Sequence, residues 1–379
     1  MKVADSWLRH CYDQRSKFAK NLFLTVRLPL LSESVLKKVL GRSYNTRNST
    51  VFQSNEECLE MTKKILENKE KFYQDRPTLS YKTRYCSQKQ INVMVCGGIN
   101  QLEEEYGANS GFVITKVDGE KFDNLEILPE ISGCKYFWSV NVMCELYVLA
   151  KCKRMNEINL HKYSHEKNAW VKVKFICTSR DAFSVCSFMN KIYIVGGHYK
   201  NEIALRTCLE IDTASCNEKL IKSMKDARIL AGCVAFLGKV VVSGGNVDVY
   251  DHLNNLNTVE AYCNVEKTWS VMPKMVHARN NHILVAVKKK LFVFGGWRDT
   301  CEIFDVSSNK FTVLKKMETL RMDEYSVNDA ISVGGKVFVF LSYSAKVAVY
   351  DLDRNVWTEE EFGATKDNDC YTCVKLPKF

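Results

Sequence analysis

No run of about 18 apolar residues, the length a membrane-spanning helix needs, occurs in this chain. The longest candidate, NLFLTVRLPLL, is broken by Arg27 and Pro29. The N-terminal MKVADSWLRH lacks the uninterrupted apolar core of a secretory signal. These features predict a soluble, cytoplasmic protein that spans no membrane. Cysteine is plentiful, at 16 of 379 residues, but framework spacing is missing. Cys186, Cys208 and Cys233 stand singly along apparent strands. The one C-x-x-C is Cys370 to Cys373, whereas a structural zinc site usually draws on two such pairs. In a strand, positions i and i+3 also face opposite sides. The cysteines therefore read as small buried apolar residues in a reducing compartment, with no metal and no other cofactor expected.

Charge of one sign is missing from most of the chain. Residues 1–90 hold 18 Lys/Arg against 9 Asp/Glu, while residues 91–379 hold 36 against 35, so +9 of the net +10 belongs to the N-terminal segment. A nucleic-acid face would interleave basic residues with stacking aromatics, and no stretch does so. Catalytic signatures are missing as well. The seven histidines, His10, His161, His165, His198, His252, His277 and His282, are dispersed. No Ser-His-Asp or paired-carboxylate pattern emerges, and the chain is not expected to be an enzyme. The doublet Gly196-Gly197 follows a strand-like run, yet His-Tyr-Lys-Asn-Glu comes next. No third glycine or helix start completes a dinucleotide fingerprint. The doublet reads instead as a tight backbone corner.

What is present falls into two textures. Residues 1–74 read as helical. Apolar positions from Trp7 to Phe23 recur near helical spacing, Ser32 can cap a helix through Leu40, and Ser54-Asn-Glu-Glu57 is a capping box opening a helix toward Phe72. Residues 75–90 read as a polar linker. From Ile91 the pattern changes to short β runs. INVMVCGG, KIYIVGG, KVVVSGG and KLFVFGG repeat one phrase, and ELYVLAK and KVFVFLS are degenerate copies. Their first doublet positions are Gly97, Ala150, Gly196, Gly244, Gly295 and Leu341, about 50 residues apart, the signature of a propeller or solenoid. Downstream of each phrase lies an aromatic strand, a turn and a second aromatic seven residues on: Tyr163–Trp170, Tyr262–Trp269, Phe304–Phe311 and Tyr350–Trp357. The third unit lacks the tryptophan. An apolar strand precedes each phrase after the first. Four strands in each of six units predict an all-β six-bladed propeller over residues 91–379, preceded by a small α-helical segment. The first unit lacks its own opening strand, and DCYTCVKLPKF at the C-terminus matches that strand, so it is expected to close the ring.

The order apolar strand, strand with Gly-Gly, Tyr strand, Trp strand resembles the kelch repeat. The helical segment, with Trp7, Arg15 and VRLPLLS within Leu24–Leu36, resembles the distal part of the BACK domain of BTB–BACK–kelch proteins; no BTB fold is expected before it. The resemblance implies a kelch-like substrate receptor that joins a cullin-type E3 ubiquitin ligase and holds a protein substrate on its propeller. The alternative is an actin-binding cytoskeletal kelch protein, and a third form would bind substrate without recruiting the ligase.

Loops on a rigid scaffold usually carry function. Arg180, Arg228 and Arg279 all stand 16 residues before a Gly-Gly position, with Cys134, Tyr325 and Thr365 at the matching places. Asn100, His198, Tyr199, Asn246, Trp297, Arg298 and Tyr343 follow the doublet positions and are expected on the same face. Arginines converging beside aromatics would suit an acidic peptide. Equally, an arginine at one register can be structural, pairing between blades. The outer-strand aromatics, such as Tyr262 and Trp269, are expected in the core.

Overall fold

The computed structural model describes residues 56–67, 90–96, 112–118, 121–143, 145–152, 157–176, 180–199, 203–248, 250, 254–296, 300–314, 327–341, 346–361 and 372–376. The chain divides into two compact units, Met1–Arg84 and Tyr85–Phe379. In the first unit, helix α1 (Glu56–Glu67) buries Cys58 and Thr62 on one face. These residues are four apart, one helical turn, and the Thr62 hydroxyl donates to the Cys58 carbonyl at 2.8 Å. The helices expected around Trp7–Phe23 and Ser32–Leu40, the capping serine Ser54 and most of the linker lie outside the described residues.

The second unit is built of strands. They are β1 (Gln90–Cys96), β2 (Phe112–Asp118), β3 (Lys121–Leu128), β4 (Cys134–Val142), β5 (Glu145–Cys152), β6 (Ile158–Ser164), β7 (Ala169–Ile176), β8 (Ser184–Phe188), β9 (Lys191–Val195), β10 (His198–Tyr199), β11 (Ile203–Ala204), β12 (Cys208–Asp212) and β13 (Glu218–Ile221). There follow β14 (Gly232–Phe236), β15 (Lys239–Ser243), β16 (Val259–Cys263), β17 (Thr268–Met272), β18 (His282–Val287), β19 (Lys290–Gly295), β20 (Glu302–Asp305), β21 (Lys310–Val313), β22 (Val327–Val333), β23 (Lys336–Leu341), β24 (Lys346–Asp351), β25 (Val356–Glu361) and β26 (Thr372–Leu376). Apart from the small β10–β11 hairpin, they pair into six four-stranded sheets. In chain order these are β26-β1-β2-β3, β4 to β7, β8-β9-β12-β13, β14 to β17, β18 to β21 and β22 to β25. All pairings are antiparallel. The architecture is an all-β propeller.

The strand sequences explain the packing. KIYIV, KVVVS and KVFVFL are each buried at every position after the lysine. A strand covered on both faces reads as a continuous apolar run rather than an alternating one. The outermost β13 and β17 are half-buried or exposed throughout, as one covered face requires. Six apolar clusters each span two consecutive sheets, including one between the sixth sheet and the first. The Tyr/Trp spacing of seven resolves into a tight turn that places the two rings opposite each other. Tyr163 faces Trp170, Tyr262 faces Trp269 and Tyr350 faces Trp357 in register, with ring centroids 5.0–5.3 Å apart. Tyr262 is buried and Trp269 half-buried.

The C-terminal β26 is the innermost strand of the first sheet, running against β1 from Asn92↔Leu376 to Cys96↔Thr372. Neighbouring sheets on both sides grip it. Asp329 of β22 accepts from the Cys373 amide at 2.7 Å and from the Thr372 hydroxyl at 3.2 Å, while the Ser139 amide of β4 donates to Thr372 Oγ1 at 3.3 Å.

Candidate protein-binding face

The segments entering the third, fourth and fifth sheets carry the repeated arginine. These arginines are not at the surface: Arg180, Arg228 and Arg279 are 5%, 0% and 0% exposed. Each side chain turns back under its own Gly-Gly corner. Arg180 Nη1 donates to the Gly196 carbonyl at 3.0 Å and the Thr207 carbonyl at 2.7 Å. Arg228 does the same to Gly244 and Thr258, and Arg279 to Gly295 and Thr300. The constant spacing of 16 is therefore the span of one hydrogen bond. The expectation that these arginines meet a partner's carboxylates gives way to a scaffold role, because the side chains are buried and their Nη groups donate to the chain's own oxygens.

Two of these clamps contain an acid. Glu260 accepts from Arg228 at 2.9 Å and from the Lys225 and Asp226 amides at 2.8 and 3.1 Å. Glu302 accepts from Arg279 at 2.7 Å and from the Val276 and His277 amides at 2.7 and 2.9 Å. Each carboxylate thereby ties the segment entering a sheet to that sheet's third strand. Hydrogen bonds to the remaining valences make a fully buried pair tolerable, and they satisfy both carboxylates here, although Arg228 and Arg279 each keep a buried Nε without a hydrogen bond. In the third sheet, strand registry puts Leu209 where the fourth and fifth have Glu260 and Glu302. Burial lowers the Arg180 pKa.

The doublets complete the clamp from the other side. Gly244 has φ +53°, and a β-carbon there would lie 2.5 Å from the Arg279 carbonyl oxygen of the next sheet. The Gly245 amide donates to that same carbonyl at 2.9 Å, as the Gly197 amide does to Arg228 at 2.8 Å. Only glycine supplies both the left-handed corner and the close approach. Between these sheets His282 accepts or donates at 2.8 Å to Ser243 Oγ. Burial, then Arg279 and Arg228, push its pKa down to about 3, so it is neutral.

After the doublets the chain does reach the surface, selectively. His198 is buried and pairs backbone to backbone with Asp181. Burial, then the charge of Lys151, lower its pKa. Asn246 is also buried, and it braces its loop by donating to Asn255 Oδ1 at 3.3 Å and accepting from the Asp248 amide at 2.7 Å. Tyr199, on the β10–β11 hairpin, is 49% exposed. Asn100, Trp297, Arg298, Tyr325 and Tyr343 lie outside the described residues.

Sequence reasoning missed four apolar residues on the same loops: Ile203, Leu230, Val247 and Tyr250, all exposed. Leu230 has φ +52° and stands in a backbone relay, its amide donating to the Ala182 carbonyl and its carbonyl accepting from Asn281, both at 2.8 Å. A bulky aliphatic held at positive φ and left in water is costly twice over, a pattern associated with binding sites. The available signal was their position: apolar residues in the loops flanking a doublet strand. Where the second unit has Ala150-Lys151 in place of the glycines, the buried Lys151 ion-pairs with Asp181 of the neighbouring loop.

The kelch motif model matches residues 227–276, which enclose the whole fourth sheet and its clamp. Over 388 residues the chain is 26% identical to Kelch-like protein 7 of Rattus norvegicus, covering 98% of this chain and 62% of that protein. It is 23% identical over 224 residues to Kelch-like protein 35 of Mus musculus, covering 56% and 37% of the two chains. It is 22% identical over 320 residues to Kelch repeat and BTB domain-containing protein 12 of Homo sapiens, covering 76% and 48%. The chain thus spans less than two thirds of the length of these relatives. Sheet order, clamp and motif together define a kelch-type β-propeller. More particularly, the chain is similar in sequence to kelch-like proteins over most of its length.

Proposed function

We propose that this chain is a protein-binding adaptor that holds a substrate on the loop face of its propeller, in the manner of a kelch-like ubiquitin-ligase substrate receptor. The observation that carries the reading is the exposed group Tyr199, Ile203, Leu230, Val247 and Tyr250, gathered on loops locked by buried clamps. Exposed aromatic and aliphatic side chains on a rigid frame bind at low entropic cost. With the arginines buried, the occupant proposed is an apolar, aromatic-bearing protein segment rather than an acidic one. The proposal includes a six-bladed ring, supported by the six sheets and by the packing of innermost strands in the order β26, β4, β8, β14, β18, β22 and back to β26. It also includes a BACK-like role for residues 1–74, ahead of a linker at 75–90, supported by VRLPLLS, and a cytoplasmic, non-catalytic role. Among the described residues no helix is long and apolar enough to cross a membrane.

The test is affinity capture from cells with the wild-type chain and with a Tyr199→Ser/Tyr250→Ser variant. A partner set retained by the wild type and lost by the variant is the expected result. Equal capture by both removes the loop face from consideration. Cullin among the retained proteins supports the ligase reading, and pelleting with actin filaments favours the cytoskeletal one.

A further inference from the structure

Cys186 and Cys233 lie in β8 and β14, the innermost strands of the third and fourth sheets. Their sulfurs are 3.2 Å apart, Cys233 donating to Cys186 across the seam. Both are free thiols. Neither faces a cysteine within its own sheet: Cys186 is registered with Tyr193 and Cys233 with Val242. The contact is therefore made between sheets, within the apolar cluster that also holds Cys208, Tyr193 and Val240. Cys208 is engaged elsewhere, its thiol directed to the Arg206 carbonyl at 3.6 Å. A disulfide has its sulfurs about 2.0 Å apart, so closing the pair takes about 1.2 Å of approach.

We propose that Cys186 and Cys233 form a reversible disulfide that staples the third sheet to the fourth when the chain meets a small-molecule disulfide oxidant. The thiolate of one of the two cysteines attacks one sulfur of the oxidant, making a mixed disulfide and releasing one small thiolate. The thiolate of the other then attacks that cysteine's sulfur, the protein disulfide forms, and the second small thiolate leaves. Two protein thiols are oxidised, one small disulfide is reduced to two thiols, and the two protons released by the cysteines end on those thiols. The hydrogen bond with Cys186 and burial both raise the Cys233 pKa, which keeps the reaction slow while the seam is closed. The link would enclose a segment spanning 47 positions that carries Tyr199, Ile203 and Leu230, and so would stiffen the loop face from beneath.

The sequence makes the test clean. Trypsin releases Cys186 within Asp181–Lys191, DAFSVCSFMNK, and Cys233 within Ile229–Lys239, ILAGCVAFLGK, one cysteine in each. The full chain is incubated with oxidised glutathione, remaining thiols are alkylated, and the unreduced digest is read by mass spectrometry. The expected product is the two peptides joined, lighter than their sum by the two hydrogens lost. Recovery of the two peptides alkylated, glutathionylated, or joined to any other cysteine overturns the proposal. The wild-type digest stands without any variant. As a second measurement, oxidation raises the thermal midpoint by several degrees, dithiothreitol reverses the rise, and Cys233→Ser abolishes it. A cross-link that left the midpoint unmoved would overturn its role as a staple.

Discussion

The fourth and fifth sheets and the second sheet solve one problem with different residues. In the fourth and fifth, an arginine, a glycine pair and a glutamate lock the entering segment to the sheet's own strands. In the second, Cys134 occupies the arginine register and Ala150-Lys151 the doublet, and Lys151 reaches sideways to Asp181 instead. The third sheet is intermediate, with the arginine and the glycines but leucine for the acid. The repeat therefore conserves a function, holding the corner, more strictly than it conserves any one residue. Where the corner is locked by buried charge, the surface above it is free to be apolar.

This comparison can be broken at graded cost. Arg279→Met should be the most damaging change, at about 3–5 kcal/mol, because it leaves Glu302 buried and without its cation; chemical denaturation reads the loss. Adding Glu302→Gln should recover part of it, since an amide oxygen still accepts the Val276 amide. Gly244→Ala should cost roughly 2–4 kcal/mol, from positive φ and from the approach of the Arg279 carbonyl. Ala150→Gly in the second sheet should by contrast cost only about 1 kcal/mol, from the lost buried methyl and the freer backbone.

Acid should act next. His282 is neutral in the fold, with a pKa near 3, whereas in the unfolded chain it protonates near 6.5. The unfolded state binds more protons between these values, so stability falls as pH drops below about 6.5, by about 2 kcal/mol at pH 5. His282→Gln should flatten that slope in urea titrations run from pH 7 to 5. Asp329 has the opposite sign. Burial raises its carboxyl to about 6 against hydrogen bonds that lower it, so its contribution weakens as pH rises from the ordinary 3.8 through 6. Arg180→Met, which strands no carboxylate, should cost only about 1–2 kcal/mol. Last, Tyr199→Ser should change stability by less than about 0.5 kcal/mol while weakening partner capture.

Much of this architecture was legible. The repeated phrase located the second strand of five sheets outside the first, and the aromatic spacing located the third and fourth strands of four of them. The arginine register was legible too, and its 16-residue span proved to be a bond length in disguise. Its direction was not, because whether a loop side chain points to solvent or to a seam depends on what the next sheet presents. The Gly196 corner, for example, packs under the Arg228 carbonyl, some 30 residues on. His198 and Asn246 are buried for the same reason, while Tyr199, next to His198 on β10, is exposed. The exposed aliphatics went unread because a hydrophobic residue in a loop looks, by composition alone, like core.

The pairing of β26 with β1 has a consequence in time. Residues 92–96 are synthesised long before residues 372–376, yet they cannot complete their innermost hydrogen bonds without them. During translation at about 5–20 residues per second, the edge of β1 waits for tens of seconds. Until β26 emerges from the ribosome, β1 offers an open edge to any passing chain. Pairing of β1 with β26 is thus a late, long-range event, and the exposure of that edge to chaperones and to aggregation is set by when β26 is made.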